Sequence, residues 1–297
     1  KAFPLCIALG LVFPTTPEAW EWARFRGPNG TGISNAKGIP SKWTSQDYHW
    51  TVALKGQGHS SPVLWGERIF LSGTDEGKGQ FIMECLYSPN GKSLWARNRP
   101  ISTHRKHKYN SYASASAALD EKRVVFVMTQ PGSVTVLAWS HKGEALWERQ
   151  FETVLSNHGS GVSPMLYENK VILPCDTEGQ SFLTALDAAS GEEVWRTART
   201  SIKSSFATPC LFTDQSGQNS LVFNSMAHGI SSIDPSTGKV IWELKNLFDK
   251  RTVSSSLTAD GLLFGTCGSG AGGNYLVAVH PGDPEKDQAP ELAYTLR

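Results

Sequence analysis

The chain has 297 residues and a formal net charge of +1 at pH 7. This length fits two average domains, or one domain if the fold is an all-β sandwich, barrel or propeller. Charged residues make up 19% and hydrophobic residues 39%, which is the composition of a folded protein. The near-neutral balance argues against nucleic-acid binding, because that function needs a clustered basic face.

The first predicted element is an apolar stretch at residues 2–13, behind Lys1 and ahead of Pro14 and Pro17. The stretch is too short to span a hydrocarbon core, which needs about 20 residues. Its pattern is typical of the end of a secretory signal peptide. We therefore expect residues 1–19 to be a signal-peptide remnant, and the protein to be exported to the periplasm or cell envelope without a transmembrane segment. The alternative is a buried N-terminal strand.

A repeat dominates the chain from residue 50 onward. Four segments share the pattern Gly-x-x-aliphatic-Trp, and they end at Trp95, Trp147, Trp195 and Trp242. These Trp residues are 52, 48 and 47 residues apart, and Trp50 and Tyr294 extend the series at both ends. A period of about 49 residues lies in the range of propellers and solenoids.

Each repeat unit reads as four short β-strands with turn residues between them. Small residues lead into the first strand of each unit, at Ser61, Ser116, Ser163, Thr208 and Ser255. Sustained helical periodicity is absent from the sequence after the apolar stretch. We therefore predict an all-β fold, a β-propeller with five four-stranded antiparallel blades, in which the recurring Trp fills the gap to the neighbouring blade.

Four cysteines lie within the repeats, at Cys85, Cys175, Cys210 and Cys267. They form no adjacent pair and no Cys-x-x-Cys motif, so zinc-ribbon and dithiol-redox motifs are excluded. We expect buried thiols that pack as small hydrophobic groups. Pairing in an exported protein is the alternative, and its connectivity cannot be read from the sequence.

Two repeats carry a longer motif. Residues 185–195 read A-x-D-x-x-x-G-x-x-x-W, and residues 232–242 repeat this pattern with Ser first. Besides Trp195 and Trp242, the fixed positions are Asp187, Gly191, Asp234 and Gly238. These segments resemble the tryptophan-docking repeats of the pyrroloquinoline quinone (PQQ)-like propeller superfamily. That superfamily includes quinoprotein alcohol dehydrogenases and the propeller lipoprotein of outer-membrane protein assembly.

Residues 22–32 read W-x-x-F-R-G-P-x-G-x-G. This segment is similar to one found near the start of many exported bacterial propellers of the superfamily, especially from planctomycete-like genomes. We expect residues 20–49 to form an extension that packs on a propeller at residues 50–297. The superfamily's usual ring of seven or eight blades implies that five blades are part of a larger ring. We therefore expect a fragment, incomplete at its C-terminus, with residues 50–54 as an outermost strand that lacks its blade.

The quinoprotein branch implies PQQ on the propeller axis, a calcium ion, an Asp base and often an adjacent cysteine pair. The sequence has no adjacent cysteine pair, and turn capping explains Asp187 and Asp234. We therefore predict no cofactor and no metal. PQQ and calcium are expected only if the protein is a quinoprotein oxidoreductase whose cofactor ligands lie partly outside this sequence.

Candidate ligand-binding residues lie in the loops that lead into the first strand of each blade. In a propeller these loops surround the mouth of the central channel. They contain His59, His107, Tyr109, His158, Lys203, Lys250 and Arg251. A ring of such donors can hold a small anionic ligand or an acidic segment of a protein or peptide partner.

The sequence therefore predicts a monomeric binding or scaffolding module. The alternatives are a hydrated loop surface without a ligand, a quinoprotein oxidoreductase, and a hydrolase or lyase that uses the His-rich loops. A metal site built from the histidines of these loops is disfavoured. Arg105, Lys106 and Lys108 lie next to the histidines of the same loop and would repel a cation.

Overall fold

The computed structural model describes residues 21–153, 158–159, 161–201, 203–270 and 272–297, so the expected signal-peptide remnant lies outside the described residues. Twenty strands within these ranges form five four-stranded antiparallel sheets, each with its strands in chain order. The first sheet holds β1 (Val63–Trp65), β2 (Arg68–Asp75), β3 (Gln80–Tyr87) and β4 (Ser93–Pro100). The second holds β5 (Ala118–Leu119), β6 (Arg123–Gln130), β7 (Ser133–Ser140) and β8 (Ala145–Glu152).

The other three sheets repeat this arrangement. The third sheet holds β9 (Met165–Tyr167), β10 (Lys170–Cys175), β11 (Gly179–Asp187) and β12 (Glu193–Ser201). The fourth holds β13 (Cys210–Thr213), β14 (Asn219–Ser225), β15 (Gly229–Ile233) and β16 (Val240–Leu244). The fifth holds β17 (Leu257–Ala259), β18 (Leu262–Cys267), β19 (Tyr275–His280) and β20 (Glu291–Leu296).

The first strand of every sheet begins two residues after a predicted lead-in residue, as β1 does after Ser61 and β17 after Ser255. These first strands are the innermost ones, and they contact one another from sheet to sheet: β1 meets β5, β5 meets β9, and β13 meets β17. The predicted all-β propeller architecture is confirmed. Among the described residues, no helix has the length and apolar character needed to cross a membrane.

The hydrophobic core is divided among the interfaces between neighbouring sheets. Along β6, Val124, Phe126 and Met128 pack with the first sheet, while Val125 and Val127 pack with the third. Successive side chains of a strand point to opposite faces. Both faces of β6 are buried in this way, and this explains why the strand is apolar at every position from Val124 to Met128.

The repeat Trp residues occupy equivalent positions on the outermost strands, as predicted. In every sheet the outermost strand carries one extra residue, a β-bulge, directly before an aromatic residue, and that aromatic residue pairs with a small residue of the third strand. The pairs are Cys85–Trp95, Ala138–Trp147, Ala185–Trp195, Ser232–Trp242 and Ala278–Tyr294. A small partner at this point leaves the large ring free to reach the next sheet.

Trp147 shows how the ring crosses to the next sheet. Its Nε1 donates a hydrogen bond to the Ala188 carbonyl at 2.9 Å, in the turn between β11 and β12. We call this turn, and its equivalents between the third and outermost strands, the docking turns. The ring lies against Gly191, where a Cβ would sit 2.6 Å from ring atoms. Two residues beyond Trp147, the Nε of Arg149 donates to the Gly191 carbonyl at 2.7 Å.

The same contact recurs along the chain. Trp95 donates to the His141 carbonyl and Trp195 to the Pro235 carbonyl, both at 3.0 Å. Asp187 caps its docking turn, because its Oδ1 accepts hydrogen bonds from the amides of Ala189 and Ser190. These hydrogen bonds, chiefly the one from the Ser190 amide, lower the pKa of Asp187. Asp234 accepts amide hydrogen bonds in the equivalent turn.

Trp50 also occupies a docking position, on the first sheet. Its Nε1 donates to the Ser88 carbonyl at 2.7 Å, and its ring lies against Gly91. The prediction of a strand at residues 50–54 is wrong, because these residues belong to no strand of the described chain. A β-strand needs a hydrogen-bonding neighbour, and no described strand runs beside this segment.

The extension packs on the innermost strands. Trp22 forms a two-way backbone bridge with Leu64, at 3.0 Å each way, and the Ala23 carbonyl accepts from the Leu119 amide at 2.9 Å. Farther on, the Asn29 side chain bonds the backbone of Leu211 at 2.9 and 2.7 Å. The extension therefore runs from the first and second sheets to the fourth sheet.

A buried network of charged groups centred on Arg199 joins the third sheet to the fourth. The guanidinium of Arg199 bonds both carboxylate oxygens of Asp176, at 3.1 and 3.0 Å, and both side chains are at most 3% exposed. The same guanidinium donates to Ser231 at 2.9 Å and lies 3.5 Å from a Glu243 oxygen. Removing one partner of such a pair would leave an uncompensated buried charge, which costs about 3–5 kcal/mol.

The four cysteines of the repeats are buried and free, as expected. Burial raises the pKa of the Cys85 and Cys210 thiols to about 12, so neither is a thiolate at neutral pH.

The docking contact predicts different effects for two glycines with similar backbones. Gly191 has φ +73° and lies under the Trp147 ring, whereas Gly132 has φ +82° and a Cβ there would meet nothing within 4 Å. Gly132→Ala should cost about 1–2 kcal/mol of unfolding free energy from the backbone alone. Gly191→Ala should cost about 1–3 kcal/mol more, because the new methyl displaces the ring. Urea denaturation of both variants measures this, and equal losses would show that the ring is not held against Gly191.

Candidate functional site

A cavity of about 700 Å³ lies where the loops before the innermost strands of the second to fifth sheets converge. The innermost strands run in the same direction, so these loops share one face of the propeller. Six of the predicted ligand-binding residues line the cavity: His107, Tyr109, His158, Lys203, Lys250 and Arg251. We call this cavity the mouth.

His59 does not line the mouth. Its amide donates to the Ala113 carbonyl at 3.0 Å and to the Ser111 hydroxyl at 3.1 Å. These bonds tie the loop of the first sheet to the long loop at residues 101–117. That longer loop contributes His107 and Tyr109 to the mouth instead.

Part of the lining is apolar. Phe25, Phe206 and Met226 contribute to it, beside the charged side chains. Phe25 comes from the W-x-x-F-R-G-P segment, so the extension forms part of the mouth. Sequence reasoning missed these three residues, although the motif around Phe25 marked the segment.

Arg251 is held in place from several sides. Its Nε donates to the Ser204 carbonyl at 3.1 Å, and its Nη2 lies 3.4 Å from a Glu178 carboxylate oxygen. The guanidinium lies 5.9 Å from the centre of the Phe206 ring. A guanidinium fixed in this way loses little side-chain freedom when it binds a further group.

The two lysines differ in their surroundings. The Nζ of Lys250 donates to the Gly273 carbonyl at 3.0 Å and lies 3.4 Å from the Asp249 carboxylate. Lys203 is exposed, and its ammonium has no hydrogen bond or ion pair within the described part of the chain. The Lys203 charge is therefore available to a ligand.

His158 and His107 stack, with ring centres 5.9 Å apart and planes 15° from parallel. The Nε2 of His158 lies 3.5 Å from the Nη1 of Arg251. Burial lowers the pKa of His158 from its ordinary 6.5, and the positive charge of Arg251 lowers it further. The imidazole is therefore mainly neutral at pH 7.

The remaining histidine of the long loop lies apart from this pair. His104 packs edge-on against Tyr112, with ring centres 4.6 Å apart. Within the described ranges, no group of three or more His, Cys, Asp or Glu side chains is arranged to hold a metal ion.

Comparison with known proteins identifies the family. The family model of the outer membrane protein assembly factor BamB matches residues 82–266, which is more than half of the chain. The comparison with curated proteins gives no match.

Solved structures show the same fold. BamB from Moraxella catarrhalis is 15% identical with a TM-score of 0.59, and the match covers 84% of this chain and 64% of that one. Quinohemoprotein alcohol dehydrogenase from Comamonas testosteroni is 12% identical with a TM-score of 0.60, and the match covers 93% of this chain and 49% of that one. Saccharomyces cerevisiae Sqt1 is 13% identical with a TM-score of 0.52, and the match covers 81% of this chain and 61% of that one. The chain thus spans less than two thirds of each of these proteins, and identities this low show the fold alone.

The contact between Arg251 and His158 predicts a titration shift. Arg251→Gln removes a positive charge beside the imidazole, so the pKa of His158 should rise towards 6.5. Two-dimensional NMR of the imidazole carbons across pH measures the value. Lys142→Gln, in an exposed turn outside the mouth, is the matched control and should leave it unchanged. A fall, or no change, in the Arg251→Gln variant would contradict the described geometry.

Proposed function

The chain belongs to the family of the outer membrane protein assembly factor BamB, and on that premise we propose that it is an exported binding module whose mouth holds an acidic segment of a protein or peptide partner. The observation that carries the proposal is the excess of cationic side chains around one cavity. Lys203, Lys250 and Arg251 line it, against one lining carboxylate, Asp249.

The arrangement suits reversible binding of an anion. Arg251 is positioned in advance by Ser204, Glu178 and Phe206, whereas the Lys203 ammonium is unpaired within the described residues. Charge-assisted hydrogen bonds to a carboxylate are shorter and stronger than neutral ones. A cavity lined by one sign of charge also raises the local concentration of ligands of the opposite sign.

The mouth also suits a peptide in its shape. The cavity is bounded by loops from four sheets and is open to solvent at Tyr109, which is 75% exposed. Its apolar lining at Phe25, Phe206 and Met226 can pack against the side-chain stems of a bound segment.

The side chains around the mouth do not fit a calcium-bound quinone. A hard cation needs several oxygen ligands, and the lining offers lysine and arginine charges that repel it. A quinoprotein oxidoreductase remains the alternative function. It is tested by mixing the protein with PQQ and calcium, when a bound-quinone absorbance and alcohol-dependent dye reduction would favour the enzyme.

The proposal predicts which lysines matter. In calorimetric titration with a capped peptide of alternating Asp and Gly, Lys203→Ala and Lys250→Ala should each weaken binding about fivefold to tenfold, because each removes one charge-assisted contact. Added salt should weaken binding by the unmodified protein as well. Lys142→Ala, which removes a lysine outside the mouth, is the matched control and should bind normally. Unchanged affinity in the Lys203→Ala, Lys250→Ala double variant would exclude the mouth as the binding site.

A further inference from the structure

Three residues of the segment that follows β18, Gly268, Ser269 and Gly270, line the mouth beside the cationic loops. We propose that Lys203, Arg251 and the backbone amide of Gly270 form a subsite for a tetrahedral oxyanion, the phosphate or sulfate group of an ester. This inference rests on the proposed function and narrows the chemistry of its ligand.

Gly268, Gly270 and Gly272 differ in why the chain needs a glycine at each position. Gly268 is required sterically, because a Cβ there would collide with the Asn274 side chain, and Gly272 is required by its φ of +89°. Gly270 has neither reason. A Cβ on Gly270 would meet nothing within 4 Å, and its φ lies outside the left-handed region.

Because Gly270 has no side chain, its backbone is uncovered on the wall of the mouth. The Gly270 amide has no hydrogen-bond acceptor among the described residues. Glycine-rich loops elsewhere use such bare amides to approach anions closely, because no side chain intervenes. The Gly270 amide is thus a donor on the wall of the cavity with no acceptor among the described residues.

The two cationic side chains of the subsite lie on loops of neighbouring sheets. Lys203 precedes β13 and Arg251 precedes β17, so they reach the mouth from neighbouring sheets. Gly270 follows β18 and adds a third direction. A carboxylate offers two oxygens in one plane with its carbon, whereas a phosphate or sulfate ester offers three terminal oxygens at three corners of a tetrahedron, with the ester oxygen at the fourth. Three donors from three chain segments match the second shape.

Aromatic side chains beside the subsite can contact the organic part of the ester. Phe206 lies 5.9 Å from the Arg251 guanidinium and lines the same cavity, as Phe25 does. An aromatic or aliphatic group attached to the oxyanion can pack against these rings. The expected group is therefore a phosphate or sulfate ester carried by the bound partner segment, with its charged end at the Lys203 side.

The test compares three probes of similar size, phenyl phosphate, phenyl sulfate and benzoate, by calorimetric titration of the full chain. At least one of the two esters should bind about tenfold more tightly than benzoate, because a third charge-assisted bond forms. Lys203→Ala and Gly270→Val should each weaken that binding about tenfold, and Lys203→Arg should retain most of it. Gly77→Val is the matched control, since Gly77 lies in an exposed turn outside the mouth with room for a side chain.

Two results would overturn the subsite. One is equal or tighter binding of benzoate. The other is unchanged ester binding by a Gly270→Val variant whose urea denaturation matches the unmodified protein. If the Asp-Gly peptide binds and neither ester does, the subsite is wrong and the proposed function stands. If neither the peptide nor an ester binds, the proposed function fails as well.

Discussion

The structure depends on one contact, the ring of an outermost-strand tryptophan packed on a glycine turn of the next sheet, which recurs at Trp95, Trp147 and Trp195. Sheets of a propeller diverge towards the rim, so the gap between neighbours is widest at the outermost strands. The indoles of Trp95, Trp147 and Trp195 fill that gap and donate a hydrogen bond across it. The turn must carry glycine because the ring occupies the place of a Cβ, and this explains why Gly and Trp recur together.

The docking contact also places the mouth. Neighbouring sheets are held against each other, so the loops that lead into the innermost strands have fixed relative positions around the channel. The extension adds to this order, since it bonds Leu64, Leu119 and Leu211 and brings Phe25 into the mouth. Lys203 and Arg251 then meet at one cavity although they lie on loops of different sheets.

The sequence predicted the sheets well because the docking contact repeats in the chain. The period of the Trp residues predicted the number of described sheets, and the small lead-in residues predicted the start of each innermost strand. The sequence placed His59 at the mouth, but His59 does not line the cavity. The repeat predicts where each loop meets its innermost strand, but it does not predict the length or path of the loop. The longer loop at residues 101–117 contributes His107 and Tyr109 to the mouth instead. Other features carry no local signal. Asp176 and Arg199 lie 23 residues apart and meet only after folding, and Gly270 is explained by the cavity it lines.

The most direct test of the account is hydrogen–deuterium exchange on a Trp195→Leu variant. Trp195 lies on β12, and its ring packs on the docking turn at Gly238 in the fourth sheet. We expect faster exchange both in β12 and in the docking turn of the fourth sheet, with the first sheet unchanged, because the variant loosens only the interface between the third and fourth sheets. Faster exchange confined to β12, or spread equally over all five sheets, would contradict the claim that the ring joins one sheet to the next.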